Sequence, residues 1–75
     1  MDIYRNLGGD SGVLAYEIET DAIKVKFRDG WIYTYNNGSA GFGNIDQMKR
    51  LAHAGRGLNS FITRVVRNAY AAKTR

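Results

Sequence analysis

The sequence predicts an α+β domain, a three-stranded antiparallel β-meander followed by two α-helices packed on one face. From Val13 to Asn36 apolar and polar residues alternate in short runs broken by turn pairs, which is the period of half-buried strands. After Asn44 the apolar residues recur every three or four positions, which is the period of an amphipathic helix. A chain of 75 residues has the length of one small domain.

Residues 1–12 precede this pattern, follow neither period and include three glycines. We expect them to form a loosely ordered lead-in, although Ile3, Tyr4 and Leu7 can dock on the core. Residues 13–75 then make up the single α+β domain.

The first two predicted strands meet at the turn Thr20-Asp21. If this turn has two residues, Glu17 faces Lys24, an opposite-charge pair that stabilises the hairpin by roughly 0.2 to 1 kcal/mol. The same register forms a core face from three cross-strand pairs: Leu14 with Phe27, Tyr16 with Val25, and Ile18 with Ile23. The charge pattern and the hydrophobic pattern therefore predict the same register.

The turn Asp29-Gly30 allows two registers, which place the aromatic residues of the third strand on opposite faces of the sheet. In a two-residue turn Phe27 faces Ile32, and the rings lie on the outer face. In a three-residue turn Gly30 is a left-handed bulge residue, Phe27 faces Trp31, and the rings join the core. We favour the two-residue turn because the alternative exposes Ile32 and buries three polar ring atoms.

Residues 36–43 are rich in asparagine and glycine, which predicts a loop between the sheet and the helices. The first helix is predicted over residues 44–54, with Asn44 as its N-cap. A broad apolar stripe predicts a second helix over residues 59–72.

The composition argues against several classes of protein. The chain has no cysteine, so no disulfide or thiolate metal site is expected, and a cytoplasmic location fits. No apolar run reaches the length of a membrane span or a signal peptide. His53 is the single histidine and has no carboxylate three or four positions away, so we expect a noncatalytic protein without metal or cofactor.

Positive charge is concentrated in the C-terminal half. Residues 1–40 hold four Lys and Arg against six Asp and Glu, which gives −2, whereas residues 41–75 hold seven against one, which gives +6. Such asymmetry favours a polyanionic partner.

In the favoured register, the cations of the second strand lie beside the rings of the third on the outer face of the sheet. Cations on such a surface bind phosphates while the rings stack on bases. The sequence therefore predicts binding of RNA or single-stranded nucleic acid. The expected stacking residues are Trp31, Tyr33 and Tyr35, and the expected phosphate contacts are Lys24, Lys26, Arg28, Arg56, Arg64 and Arg67.

Two other interpretations stay open. If the rings lie in the core or between two copies of the chain, the protein is a docking or homodimer module. The glycines within residues 38–43 also suggest a site for a small phosphorylated ligand, because N–H groups at a helix start attract anions. Their spacing does not match a Walker motif. No membrane partner is expected, and both a monomer and a homodimer fit the sequence.

A series of short motifs follows in a fixed order: Ser11 with the strand through Tyr16, Phe27-Arg28-Asp29-Gly30, Tyr33-Thr34-Tyr35, Gly57-Leu58-Asn59, Ile62 and Tyr70. In order and spacing they resemble the KTSC domain, found at the C-terminus of some lysyl-tRNA synthetases and as a stand-alone bacterial or phage protein. The resemblance covers residues 11–70 and implies the fold of that family, for which RNA binding has been suggested. The chain lacks the Val-Pro entry to the helix, and Thr63 stands where the family has arginine.

Overall fold

Five antiparallel strands form one sheet, whose spatial order follows the chain order, in a computed structural model that describes residues 1–9 and 11–75. The predicted α+β class is confirmed, but the described residues form five strands where three were expected. The strands are β1 (Asp2–Ile3), β2 (Val13–Glu19), β3 (Ala22–Phe27), β4 (Ile32–Asn36) and β5 (Ala72–Thr74). The helices are α1 (Asn37–Ala40), α2 (Phe42–Ala54) and α3 (Leu58–Phe61), which a π-helical turn (Ile62–Val66) continues. Asp10, part of the expected lead-in, lies outside the described residues.

The helical segments cover one face of the sheet, and the core lies between the two layers. Ile23, Val25 and Tyr35 from the central strands are each at most 1% exposed. The helical side of the core is formed by Ile45, Met48, Ala52, Leu58, Ile62 and Val66. Apolar stripes at helical spacing supply these side chains, as the periodicity indicates.

The β2–β3 register matches the prediction along most of its length. Three expected pairs are present: Glu17 with Lys24, Tyr16 with Val25, and Ile18 with Ile23. The expected pairing of Leu14 with Phe27 is wrong, because a β-bulge sets Val13 opposite Phe27 instead. A bulge adds one residue to one strand, so Leu14 is 42% exposed while Val13 is buried.

The β3–β4 register shows that the preference for a two-residue turn is wrong. Tyr33 lies opposite Val25, and Tyr35 lies opposite Ile23, which is the register of the three-residue turn. Because residues directly opposite each other share a face, the tyrosines of β4 lie on the side of the sheet that the helices cover.

The conformation of the turn explains this register. Gly30 has φ +90°, and Asp29 is not among the residues with positive φ, whereas a type I′ turn needs positive φ at both. The N–H of Gly30 donates to the Phe27 carbonyl at 3.0 Å, and the Asp29 carboxylate accepts the N–H of Trp31 at 3.0 Å. A type I turn followed by a glycine bulge results, and it shifts the aromatic strand by one residue.

A short helix, α1, stands where a loop was expected. The Asn36 side chain accepts the N–H of Ser39 at 2.7 Å, and the Ser39 hydroxyl accepts the N–H of Asn36 at 3.0 Å, so the two residues form a reciprocal capping box. Since α2 begins at Phe42, Asn44 is not its N-cap. The Asn44 side chain donates instead to the Ala40 carbonyl at 2.8 Å.

The helix predicted over residues 59–72 is wrong in its second half. The N–H of Arg67 donates to the Ile62 carbonyl at 2.7 Å, five residues back, which is the spacing of a π-helix. The chain then reverses, and β5 pairs with β4. Tyr70 packs edge-on against Tyr33 with 5.0 Å between ring centroids. This aromatic contact and the β-ladder replace the last helical turns.

The N-terminal segment, for which a loose lead-in able to dock on the core was expected, contacts the core through Tyr4, one of the three residues named for docking. Tyr4 is 3% exposed, and its hydroxyl accepts the N–H of Leu58 at 3.2 Å. The N–H of Leu7 donates to the Gly55 carbonyl at 2.7 Å, and β1 pairs with β2. These long-range contacts place the segment beside the start of α3.

Substitution of Tyr35 tests the register. Tyr35 is 1% exposed, so Tyr35→Ala is expected to lower the free energy of unfolding by about 3 to 5 kcal/mol, as deletion of a core ring does. Tyr35→Phe keeps the ring and loses one long hydrogen bond to the Arg67 carbonyl (3.3 Å), which should cost about 1 kcal/mol. Urea denaturation followed by Trp31 fluorescence measures both. A similar small cost for the two variants would place this ring outside the core.

Candidate nucleic-acid interface

Among the described residues, the outer face of the sheet holds cations without aromatic rings. Lys24 and Lys26 alternate with the buried residues of β3, and they lie opposite Thr34 and Ile32 of β4. The three rings expected beside them lie on the other face. The aromatic platform expected here is therefore a wrong prediction, because a one-residue change of register moves every side chain across the sheet.

Trp31 lies near the end of the sheet, where two cations of the C-terminal segment contact it. Lys73 Nζ is 4.7 Å from the centroid of the ring, and Arg75 Cζ is 5.0 Å from it. Lys73 Nζ is also 5.3 Å from the ring of Tyr33. Two cations therefore cover Trp31, whereas Tyr33 has one cation at a longer distance. Because cation–π contacts occupy ring surface that a stacked base needs, we do not assign Trp31 to the binding surface.

A cleft of about 460 Å³ opens between the β3–β4 turn and the π-helical turn. We call it the aromatic cleft; its lining residues are Phe27, Asp29, Tyr33, Tyr35, Ile62, Thr63, Arg67 and Asn68. Phe27 and Tyr33 meet edge to face with 5.3 Å between centroids, and both are partly exposed. The cleft thus presents accessible aromatic surface beside one arginine.

Arg67 enters this cleft from a strained backbone position. Its φ of 45° and ψ of −113° are close to the second residue of a type II′ turn, a position that favours glycine. The N–H of Ala69 closes that turn on the Val66 carbonyl at 2.8 Å. A side chain held in such a region costs of order 1 to 3 kcal/mol, and such strain is found at functional sites.

A second pocket of about 400 Å³ lies between the N-terminal segment and α3. We call it the polar pocket; its lining residues are Tyr4, Asn6, Gly8, Ser11, Arg56, Gly57, Asn59, Ser60, Thr63 and Arg64. Both arginines are exposed, and neither forms an ion pair with a carboxylate in the described part of the chain. The pocket is therefore cationic.

The aromatic cleft and the polar pocket adjoin, because Thr63 lines both of them. Together we call them the groove. It unites three of the expected phosphate contacts, since Arg56 and Arg64 line the polar pocket and Arg67 lines the aromatic cleft. Arg28 lies nearby, where its Nε donates to the Ser11 carbonyl at 3.2 Å. Lys24 and Lys26 are on the outer face of the sheet and do not belong to the groove.

In the glycine-rich segment before α2, several backbone N–H groups donate to acceptors within the protein. The N–H of Ser39 is bound by the Asn36 side chain, and the N–H of Gly41 donates to the Asn37 carbonyl at 3.0 Å. The N–H of Ile45 in turn donates to the Gly41 carbonyl at 3.0 Å. The N-cap of α2, Gly41, has no side-chain hydrogen bond among the described residues, so the site expected here for a small phosphorylated ligand stays a prediction.

The potential metal ligands within residues 1–9 and 11–75 do not form a cluster. No group of three His, Cys, Asp or Glu side chains in these residues is placed to hold a metal ion. His53 is exposed on α2, with its ring 6.2 Å from that of Tyr16. None of the described helices combines the length and the apolar character needed to cross a membrane.

Several residues of the groove were not expected from the sequence. The sequence predicts a core position for Phe27 and only a docking role for Tyr4, and it predicts no role for Ser60 and Thr63. The sequence gives one weak indication of the role of Tyr4, because a terminal segment is ordered only when part of it packs on the rest of the domain. Which surface accepts Tyr4 depends on contacts far apart in the chain.

The chain was compared with known proteins. No match was found among protein-family models, curated proteins or solved structures. The resemblance to the KTSC domain stays a prediction.

The ionisation of Tyr35 provides a test of its burial in the wall of the aromatic cleft. Burial, with smaller contributions from Tyr33 and Tyr70, raises the pKa of Tyr35 to about 12. The unfolded chain loses this proton from about pH 10, so the stabilising contribution is complete below that pH and is lost as the pH rises toward 12. The free energy of unfolding should fall by up to about 1.4 kcal/mol per pH unit through this group.

Urea denaturation at a series of alkaline pH values measures this slope, and Tyr35→Phe should flatten it. In an alkaline titration followed by the ultraviolet absorbance of phenolate, Tyr35→Phe should remove the step near pH 12. An unchanged slope in Tyr35→Phe would assign the alkaline loss of stability to other groups.

Proposed function

We propose that this protein is a noncatalytic module that binds RNA or other single-stranded nucleic acid through the groove. The observation that supports this most directly is the contiguity of an aromatic cleft that contains Arg67 with a pocket that contains Arg56 and Arg64. The RNA binding suggested for the family that the sequence resembles agrees with this proposal.

The aromatic cleft favours a single strand over a duplex. Phe27 and Tyr33 line a cleft between two elements of the protein, which suits a base that is not stacked on its neighbours. Bases in loops and single strands are splayed in this way, whereas bases in a helix are not. Stacking on an aromatic side chain contributes about 1 to 3 kcal/mol per base, and a cleft of about 460 Å³ lies within the ordinary range of small-ligand sites.

The charge of the groove fits the backbone of such a strand. Its three arginines belong to residues 41–75, the half of the chain with a net charge of +6. Arginine binds phosphate through a planar fork of N–H donors, which gives orientation as well as charge. The Asp29 carboxylate at the cleft accepts the N–H of Trp31, so it is held within the turn.

Salt dependence tests the proposal. Binding of a fluorescently labelled single strand should weaken with salt, with log K falling against log[salt] by about 0.7 for each phosphate neutralised. Arg56→Gln combined with Arg64→Gln should weaken binding and reduce this slope by about 1.4, since two contacts are lost.

The matched control is Lys24→Gln combined with Lys26→Gln, which removes the same charge from the outer face of the sheet. We expect it to change the affinity much less than the arginine pair does. Equal losses in the two double variants would mean that net charge alone attracts the strand. A larger loss in the lysine pair would place the site on the outer face, and binding that is indifferent to salt would exclude phosphate contacts.

Arg67→Gly separates stability from binding. Glycine adopts the backbone conformation of residue 67 without strain, so the variant should unfold with a free energy about 1 kcal/mol higher than the native chain. The same change removes a guanidinium from the aromatic cleft and should weaken binding of the labelled strand severalfold. Urea denaturation and fluorescence anisotropy measure the two effects. A variant that is more stable and binds equally well would show that Arg67 does not contact the strand.

A further inference from the structure

The polar pocket has an unusual balance of hydrogen-bond donors and acceptors. Three side-chain oxygens on its wall each accept a backbone N–H of the protein. Tyr4 Oη accepts from Leu58 at 3.2 Å, Asn6 Oδ1 accepts from Ser11 at 3.1 Å, and Ser11 Oγ accepts from Val13 at 3.1 Å. The side-chain oxygens on this wall are therefore already engaged as acceptors by backbone N–H groups of the protein.

These groups can still donate hydrogen bonds. The hydroxyl hydrogens of Tyr4 and Ser11 and the side-chain amide of Asn6 donate to no acceptor among the described residues. Tyr4 is 3% exposed and lines the pocket. The Tyr4 hydroxyl has one partner, the N–H of Leu58, and its hydrogen is left to donate to an acceptor in the pocket.

The opposite wall adds further donors. Arg56 and Arg64 carry five N–H groups each and accept nothing. The Ser60 hydroxyl is exposed and makes no hydrogen bond with another described residue, whereas Thr63 Oγ1 already donates to the Asn59 carbonyl at 2.9 Å. Two guanidinium groups and several neutral hydrogen-bond donors therefore line the same pocket.

An internal phosphodiester carries one charge and two free oxygens. A phosphomonoester carries a charge of about −1.5 to −2 at neutral pH and three strong acceptor oxygens. Two arginines together with several hydroxyl and amide donors match a phosphomonoester better than a phosphodiester, both in charge and in the number of acceptor oxygens. The aromatic cleft shares Thr63 with this pocket, so we expect the base attached to that phosphate to bind there.

We propose that the polar pocket binds a phosphomonoester, either the terminal phosphate of a single strand or that of a mononucleotide, with the attached base in the aromatic cleft. For a strand, this inference rests on the proposed function. For a mononucleotide it does not. The phosphate is held by Arg56 and Arg64, with Tyr4, Ser11 and Ser60 as neutral donors.

Affinity for matched strands tests the inference. One short oligonucleotide is prepared with hydroxyl ends, with a 5′-phosphate and with a 3′-phosphate, and its binding is measured by isothermal titration calorimetry. A phosphate at one of the two ends should raise the affinity about tenfold over the hydroxyl-ended strand. A nucleoside monophosphate should likewise bind at least about tenfold more tightly than its nucleoside.

The variants identify the pocket. Arg64→Gln and Ser60→Ala should reduce the advantage of the terminal phosphate, while Arg50→Gln, which removes a guanidinium of α2 outside the pocket, should preserve it. Tyr4→Phe should reduce it as well. Because Tyr4 also accepts the N–H of Leu58, the exposed Ser60 supplies the variant whose folding is not in question.

The outcomes separate this inference from the proposed function. Equal affinity for phosphorylated and hydroxyl-ended strands would overturn the inference and leave single-strand binding intact. Binding of the nucleoside monophosphate without binding of any strand would support the pocket and overturn the proposed function. An advantage of the terminal phosphate that survives Arg64→Gln and Ser60→Ala would overturn the assignment of the polar pocket.

Discussion

The hydrogen bond between the N–H of Gly30 and the carbonyl of Phe27 sets the geometry on which the rest of the structure depends. It closes a type I turn, and the left-handed glycine that follows adds a bulge. That single added residue determines which face of the sheet each side chain of β4 occupies. With the rings on the helical side, Tyr33 and Tyr35 meet Tyr70, and Phe27 can form the floor of a cleft.

A domain of this size has few large side chains with which to build a core, and it uses its aromatic residues for two purposes. Tyr35 is sealed in the core, where its ring contributes burial and its hydroxyl bonds the Arg67 carbonyl. Phe27 and Tyr33 are only partly buried, and both pack against the core and line the aromatic cleft. Stability and the proposed binding surface therefore depend on the same residues, and a change in one is expected to alter the other.

The path of the C-terminal segment depends on a strained backbone conformation. The π-helical turn and the strained conformation of Arg67 end the helix early, and the chain then returns along β4 as β5. This reversal gives the sheet its fifth strand and brings Lys73 against Trp31. The strain is balanced by the packing of Tyr70 and the hydrogen bonds of β5. The same residue, Arg67, lines the aromatic cleft.

The sequence by itself determined the α+β class, the register of most of β2 and β3, the end of α2 at Ala54 and the concentration of cations after residue 40. These features follow from local periodicity, turn chemistry and composition, which act between residues close together in the chain. Only the tertiary structure decided the face occupied by Tyr33, the end of the last helix near Arg67 and the docking of Tyr4. In each case two local solutions of similar energy compete, and contacts between distant segments select one of them. The groove is built from those selected contacts, so its position could not be predicted although three of its arginines were.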